Sequence, residues 1–178
     1  MLYGPMTHPG LLAALGRSGH SGKILITDGN YPIASGAPAA AERIFLNLAP
    51  GLLDVTRILE VLKRTIPIER AGLMVPAADA VGIEAPDVMP AHDEYHAALP
   101  GVAFDEVPRW DFYDAAKAED VTGVIVSALR QPAAHDRGAC PRHMTTSREG
   151  FLLVLVQQNL SEPVVSNSCG EPAGGVRG

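Results

Sequence analysis

The 178-residue sequence contains few cysteines and few charged residues. Cysteine occurs only at Cys140 and Cys169, too few for a disulfide-stabilised scaffold, which suggests a reducing compartment. Charged residues make up 19% of the chain and give a formal net charge of −6. Such a chain lacks the basic surface that neutralises nucleic-acid phosphates, so we expect no nucleic-acid partner.

Long hydrophobic runs are also missing. The longest apolar run, residues 151–156, is far shorter than the roughly 20 residues that a membrane-spanning helix needs. The N-terminus, residues 1–9, lacks the basic start and apolar stretch of a signal peptide. We therefore expect a cytoplasmic protein without a membrane partner.

Motifs for nucleotide binding and for the common hydrolase frameworks are absent from the sequence. It contains no P-loop, no G-x-G-x-x-G after a strand, no G-x-S-x-G and no C-x-x-C. A site built from histidine, aspartate, arginine and tyrosine fits proton transfer, so we expect neither a cofactor nor a bound metal.

Hydrophobic patterning predicts strands that alternate with helices, which is typical of an α/β fold around a mostly parallel sheet. Strands are predicted at 23–27, 71–75, 103–107 and 121–128, with a further one within 151–156. A first helix is predicted from a cap at Thr7 to Ser18–Gly19, and others at 52–64, 91–99 and 109–118. Glycine and proline predict loop-rich stretches at 29–50, 76–90 and 138–178.

A histidine and an aspartate flank the first predicted strand. His20 lies in a glycine-flanked turn, and Asp28 follows the strand at its carboxyl end, where ligands gather in open α/β sheets. Histidine is an acid–base group suited to neutral pH, and the aspartate would orient it or balance its charge. A five-residue strand spans about 16–17 Å, so the pair meets only if the turn folds back or another subunit supplies one group. The alternative is a surface histidine and a loop-capping aspartate.

Arg109 and Tyr113 lie four residues apart on a predicted helix and therefore share one face. A guanidinium beside a phenol donates several hydrogen bonds and suits a polyhydroxylated ligand. Trp110 offers an apolar platform for the face of a sugar. The alternative is an ordinary amphipathic helix whose aromatic side chains pack into the core.

Two further groups contain residue types that bind metals. His92 and His96 have a helical spacing that can hold zinc, but no third ligand stands out. Cys140 and His143 lie in a glycine-rich stretch. We interpret the first pair as a solvated helix face and the second as part of a loop. A metal-dependent hydrolase that uses His92, His96 and His143 is the least favoured hypothesis.

The order of these motifs resembles the ribose pyranase / fucose mutarotase family over about residues 1–130. The shared opening is a leucine-bearing helix, the turn Gly19-His20-Ser-Gly22, a short strand, and Asp28-Gly-Asn-Tyr-Pro32. Tyr31-Pro32 stands in the Phe-Pro position of the family. The segment Arg109-Trp-Asp-Phe-Tyr113-Asp-Ala-Ala-Lys117 is similar to a helix of the fucose branch.

The resemblance implies a three-layer α/β/α sandwich with a mostly parallel central sheet. It implies an isomerase, a cofactor-free mutarotase that interconverts anomers or ring forms of a monosaccharide such as L-fucose or D-ribose by acid–base ring opening. It assigns His20 and Asp28 to catalysis, and Arg109 and Tyr113 to sugar binding. It also implies a homo-oligomer, commonly a decameric ring, whose sites are completed by a neighbour's C-terminal segment. We expect one such domain over residues 1–160.

The C-terminal part departs from the family pattern. Ser127-Ala-Leu129 replaces Thr-Gly-Glu, and the family's Tyr and Asn positions fall on Ala133 and His135. Residues 131–150 are interpreted as an atypical loop, and 161–178 as a disordered tail without a hydrophobic period. This departure favours an alternative function, a sugar-binding or scaffold protein of the same fold that has lost turnover.

Overall fold

A computed structural model describes residues 4–75, 90–128 and 152–156 of the chain. These residues form four helices and six strands. The helices are α1 (Pro9–Arg17), α2 (Val55–Leu62), α3 (Pro90–Ala98) and α4 (Arg109–Ala116). The strands are β1 (Gly22–Thr27), β2 (Glu42–Phe45), β3 (Ile68–Val75), β4 (Ala103–Pro108), β5 (Val121–Val126) and β6 (Leu152–Val156). The predicted loop 131–150 and the predicted tail 161–178 lie outside the described residues.

The strands form one sheet in the order β2-β5-β1-β6-β3-β4. Strand β5 pairs in parallel with both β1 and β2, and β3 pairs in parallel with β4. Strand β6 lies between β1 and β3 and runs antiparallel to both, so β1 and β3 point the same way. The carboxyl ends of β1 to β5 therefore all lie at one edge of the sheet. We call this border, where β1 to β5 end, the C-terminal edge, and the border where they begin the N-terminal edge; neither term refers to the outermost strands of the sheet.

Helices cover both faces of the sheet, and each face has its own hydrophobic core. One core packs α1, α2 and α3 against the sheet, and Ile24, Ile26 and Leu59 belong to it. The other packs α4 and the segment after β1 against the opposite face, and Leu25 and Phe112 belong to it. Successive β1 residues alternate between the two cores because neighbouring side chains of a strand point to opposite faces. The predicted α/β/α sandwich with a mostly parallel sheet is confirmed.

The helix starts follow local capping, which corrects two predictions. Helix α1 begins after His8, not Thr7, because the imidazole Nδ1 of His8 accepts the Leu11 N–H at 3.2 Å. Helix α2 was predicted from residue 52 but begins at Val55, because the Asp54 carboxylate accepts the Arg57 N–H at 2.9 Å. In both cases a side chain bonds an N–H that has no partner within the helix.

Strand β2 lies in a stretch that the sequence predicted as loop, which is a further correction. It is an edge strand of four residues, of which only Ile44 is buried, so it has too little apolar alternation to be recognised. The final strand predicted within 151–156 is present as β6. No helix among the described residues has the length and apolar character needed to cross a membrane.

Candidate functional site

Asp28 lies at the C-terminal edge, directly after β1, with a side chain that is only 1% exposed. Its Oδ1 accepts the backbone N–H of Asn30 at 2.8 Å, the pattern of an Asx turn. The Thr27 hydroxyl donates to the Asp28 carbonyl oxygen at 2.6 Å. These bonds fix both the backbone and the carboxylate at the point where the chain leaves the sheet.

The end of β5 lies beside Asp28 and brings a second buried polar residue. The Ser127 N–H donates to the Thr27 carbonyl oxygen at 2.7 Å, which continues the pairing of β1 and β5. The Ser127 side chain is fully buried, and its hydroxyl has no hydrogen-bond partner among the described residues. Buried polar side chains therefore cluster where these two parallel strands end, the position at which open α/β sheets bind ligands.

A shallow cleft with a volume of about 80 Å³, open to solvent, lies at the same edge. It is lined by Gly29, Asn47, Ala49, Pro50 and Ala128. Gly29 follows Asp28 and Ala128 follows Ser127, so the cleft adjoins the buried polar residues. This volume is well below the range typical of small-molecule pockets, about 300–1,000 Å³, so the cleft of one chain does not enclose a ligand.

Four side chains form an aromatic cluster beside the segment that follows Asp28. The cluster consists of Tyr31, Arg109, Trp110 and Tyr113. The Tyr31 and Tyr113 rings stack with their centroids 5.5 Å apart. The Arg109 guanidinium carbon lies 5.4 Å from the Trp110 ring centroid and 5.8 Å from that of Tyr113. The structure thus brings Arg109 and Tyr113 together on one helix face, as their spacing predicts.

Tyr31 is the buried member of the cluster, and it is 3% exposed. Its hydroxyl donates to the Gly36 carbonyl oxygen at 2.7 Å. Burial, together with the neighbouring Tyr113 phenol, raises the pKa of Tyr31 to about 12. Tyr31 is therefore a neutral hydrogen-bond donor at physiological pH. The 61% exposed Trp110 lies at the solvent side of the cluster.

The structure separates His20 from the other predicted site residues. Asp28 follows β1, and Arg109 follows β4 at the same C-terminal edge. His20 precedes β1 and lies exposed at the N-terminal edge, in a turn where Ser21 has a positive φ of 65°. A six-residue strand spans about 20 Å, so His20 and Asp28 do not meet within one chain.

The histidine pair of α3 does not form a metal centre in the described part of the chain, where no group of three or more ligating side chains lies together. His92 is half-buried, and burial lowers its pKa. The His96 ring packs against Phe104, with the centroids 4.1 Å apart. The prediction of a solvated face therefore holds for His96, which is exposed, but not for His92. Cys140 and His143 lie outside the described residues.

Sequence reasoning missed three residues at this edge. Thr27 is the last residue of β1 and Ser127 directly follows β5. Each comes after three apolar residues of its strand, and nothing in that pattern marks the hydroxyl. Tyr31 was noted only as standing in the Phe-Pro position. Tyr31 could have been predicted from its position, because it lies in the turn that follows a buried strand and the aspartate after it.

Comparison with known proteins identifies relatives of this chain. Residues 1–134 match the RbsD / FucU transport protein family. RbsD of Bacillus subtilis, solved in complex with D-ribose, is 16% identical with a TM-score of 0.62. The alignment covers 88% of this chain and 97% of that chain. FucU of Bifidobacterium longum is 21% identical with a TM-score of 0.58, covering 84% of this chain and 93% of that chain.

Comparison with curated proteins finds no match. The two solved structures share the fold of this chain at low identity, whereas the family match rests on the sequence itself and spans well over half of it. The chain therefore belongs to the RbsD / FucU transport protein family.

Proposed function

We propose that this protein is a cofactor-free sugar mutarotase, which interconverts anomers or ring forms of a monosaccharide such as L-fucose or D-ribose. The observation that supports this most is the position of Asp28. It is a buried carboxylate at the same sheet edge as Arg109, in the fold of a protein solved with D-ribose. A carboxylate can exchange protons with a sugar, and an arginine and phenols at the same sheet edge can hold its hydroxyls.

The proposed reaction moves only protons. A base takes the proton of the anomeric hydroxyl while an acid protonates the ring oxygen, and the bond between C1 and the ring oxygen breaks. The open-chain aldehyde turns its carbonyl face and recloses with the reverse proton transfers. Positioned acid–base groups supply about 10²–10⁴-fold acceleration of such steps. Neither an electron nor a transferable group is involved, so the reaction needs no cofactor.

The candidate residues lie at two opposite edges of the sheet, so a site that contains all of them must form between two copies of the chain. Asp28, Arg109 and Tyr113 come from one copy at its C-terminal edge. His20 is exposed at the N-terminal edge, so we propose that the His20 turn of a second copy faces this edge in a homo-oligomer. Asp28 and His20 then share the proton transfers, while Arg109 and Tyr113 bind hydroxyl groups of the monosaccharide.

Saturation-transfer NMR on L-fucose and D-ribose tests the proposal directly. The wild type is expected to accelerate exchange between anomers, and His20→Ala is expected to abolish the acceleration while leaving the circular dichroism spectrum unchanged. His96→Ala removes another exposed histidine and serves as the matched control, with exchange equal to wild type. Equal exchange rates for His20→Ala and wild type would refute the role of His20, and no acceleration by wild type would refute the function.

A second candidate function is sugar binding without turnover. It is favoured by the departure after β5, where Ser127-Ala-Leu129 replaces the family's Thr-Gly-Glu. The candidate residues Asp28 and Arg109 precede this point in the sequence and are unaffected by that departure. Calorimetry that detects sugar binding to a wild-type protein with no effect on anomer exchange would establish this function in place of the first.

A further inference from the structure

Tyr31 connects two parts of the candidate site, the segment that contains Asp28 and helix α4. Asp28 lies on the segment that leaves β1, and Arg109 begins α4. Tyr31 follows Asp28 by three residues, and its ring stacks on Tyr113, one helical turn after Arg109. Its ring therefore forms a contact between the Asp28 segment and α4.

The segment after Tyr31 folds back on the ring and holds it in place. The Gly36 N–H donates to the Pro32 carbonyl oxygen at 2.7 Å, and the Tyr31 hydroxyl donates to the Gly36 carbonyl oxygen. A Cβ atom at Gly36 would lie 2.6 Å from the Tyr31 ring. Only glycine allows the backbone to come this close to the ring, and the close contact restricts the orientation of the Tyr31 phenol.

Tyr31 is too deeply buried to touch a ligand in the cleft or above the sheet edge. Its influence on a bound sugar must therefore pass through the residues that it holds. We infer that Tyr31 is a positioning residue that sets the spacing between Asp28 and Arg109, and thereby the affinity for the sugar. The effect on sugar affinity rests on the proposed function, whereas the positioning of Asp28 and Arg109 by Tyr31 does not depend on it.

Two variants separate the ring from the hydroxyl, and a matched pair controls for lost stability. Tyr31→Phe keeps the stack on Tyr113 and loses the hydrogen bond to Gly36, whereas Tyr31→Leu loses both. Tyr95 is equally buried, 3% exposed, but lies in the core on the other face of the sheet. Tyr95→Phe and Tyr95→Leu therefore perturb packing to a similar degree without contacting the candidate site.

The first measurement is the dependence of anomer exchange on sugar concentration. Tyr31→Leu is expected to raise the half-saturating concentration about tenfold and to lower the saturated rate by less than about threefold, because misplacement weakens binding of the sugar. Tyr31→Phe stays within about threefold of wild type in both quantities, since the ring remains. Tyr95→Leu changes neither. A half-saturating concentration in Tyr31→Leu equal to that of wild type would overturn the inference.

The second measurement needs no activity and uses the single tryptophan of the chain. Trp110 contacts Arg109 and lies with its ring centroid 6.2 Å from that of Tyr113, so its fluorescence reports on the cluster. Tyr31→Leu is expected to raise the acrylamide quenching constant about 1.5- to 2-fold as the cluster loosens, and Tyr95→Leu to leave it unchanged. If wild type exchanges no sugar, the proposed function fails and this readout alone decides the inference. Unchanged quenching in Tyr31→Leu overturns it in either case.

Discussion

His20 and Asp28 lie at opposite ends of β1, one at each edge of the sheet. The strand between them is paired on both sides, with β5 and β6 as its neighbours, so it cannot fold back to bring its two ends together. A proton-transfer pair made from these residues therefore requires two copies of the chain. Whether the two residues act together across two copies can therefore be tested by mixing a variant of His20 with a variant of Asp28.

Mixed oligomers of His20→Ala and Asp28→Asn are expected to regain activity that neither variant has alone. With random mixing, about a quarter of the interfaces join an intact histidine to an intact aspartate, and exchange should return to about that fraction of wild type. The variants are unfolded together, refolded as a mixture and measured by saturation-transfer NMR.

The matched control mixes wild type with the double variant in equal amounts. A site between copies gives about a quarter of wild-type activity in this mixture as well, whereas a site within one chain gives about half. Complete inactivity of the mixed single variants, together with half activity of the control, would show that both groups act within the same chain.

Asp28→Asn is expected to remove exchange without unfolding the protein. The amide oxygen still accepts the Asn30 N–H, so the free energy of unfolding should change by no more than about 1 kcal/mol. Loss of the carboxylate should slow sugar exchange by about 10²–10⁴-fold. Urea unfolding and NMR exchange measure the two effects. Asp114→Asn, an exposed aspartate on α4, is the control and should alter neither; a similar loss of exchange in both variants would contradict the role of Asp28.

The raised pKa of Tyr31 predicts a loss of stability at alkaline pH. The ordinary tyrosine pKa is 10.0, and burial with the neighbouring Tyr113 raises that of Tyr31 to about 12. The unfolded chain therefore releases this proton first, so the stabilising contribution is complete below pH 10.0 and is lost as the pH rises towards about 12. Urea unfolding of wild type and Tyr31→Phe across this range tests it. Parallel pH curves for the two proteins would contradict the prediction.

The lowered pKa of His92 predicts a loss of stability at acid pH. Burial disfavours the charged imidazole and lowers its pKa from 6.5, and His96 adds repulsion. Glu106, Asp93 and the Met74 backbone act in the opposite direction but do not reverse the shift. The unfolded chain takes up this proton at a higher pH than the folded one. Stability is therefore fully present above pH 6.5 and is lost as the pH falls through the folded pKa.

The variant His92→Gln tests this acid sensitivity, with His20→Gln as a control at an exposed histidine on the far side of β1. His92→Gln should lose less unfolding free energy than wild type when the pH is lowered from above 6.5 to well below it. The measurement is urea unfolding at several pH values. Identical losses for wild type and His92→Gln would show that His92 does not contribute.

Gly36→Ala is expected to destabilise the protein by about 1–3 kcal/mol through overpacking. Its methyl group would meet the Tyr31 ring at 2.6 Å and the Pro32 carbonyl oxygen at 2.9 Å, and neither has room to move. Gly16→Ala is the opposite case, because Gly16 lies in α1 with nothing within 4 Å of an added Cβ. This control should gain about 0.5–1 kcal/mol from helix propensity. The free energy of unfolding is measured by thermal or urea unfolding. A change of the same sign in both variants would contradict this prediction.

The strands and helices with strong patterns were predictable from the sequence, with boundaries shifted by a few residues. The core strands β1 and β5 each contain a run of three apolar residues, 24–26 and 124–126, because both faces are buried there. Strand β2 was not predictable, since an exposed edge strand with one buried residue carries no period. The start of α1 depended on whether Thr7 or His8 capped it, and both have side chains that accept a hydrogen bond.

The amino-acid sequence by itself determined the layer architecture, the family resemblance and the candidate residues His20, Asp28, Arg109 and Tyr113. These features follow from the local periodicity of hydrophobic residues and from the order of the motifs, both of which can be read directly from the sequence. Only the tertiary structure decided which of these residues share an edge, because that depends on strand order and direction. Pairing across the sheet placed Asp28 and Arg109 at one edge and left His20 at the other, and packing on one face brought the Tyr31 ring onto Tyr113 of α4.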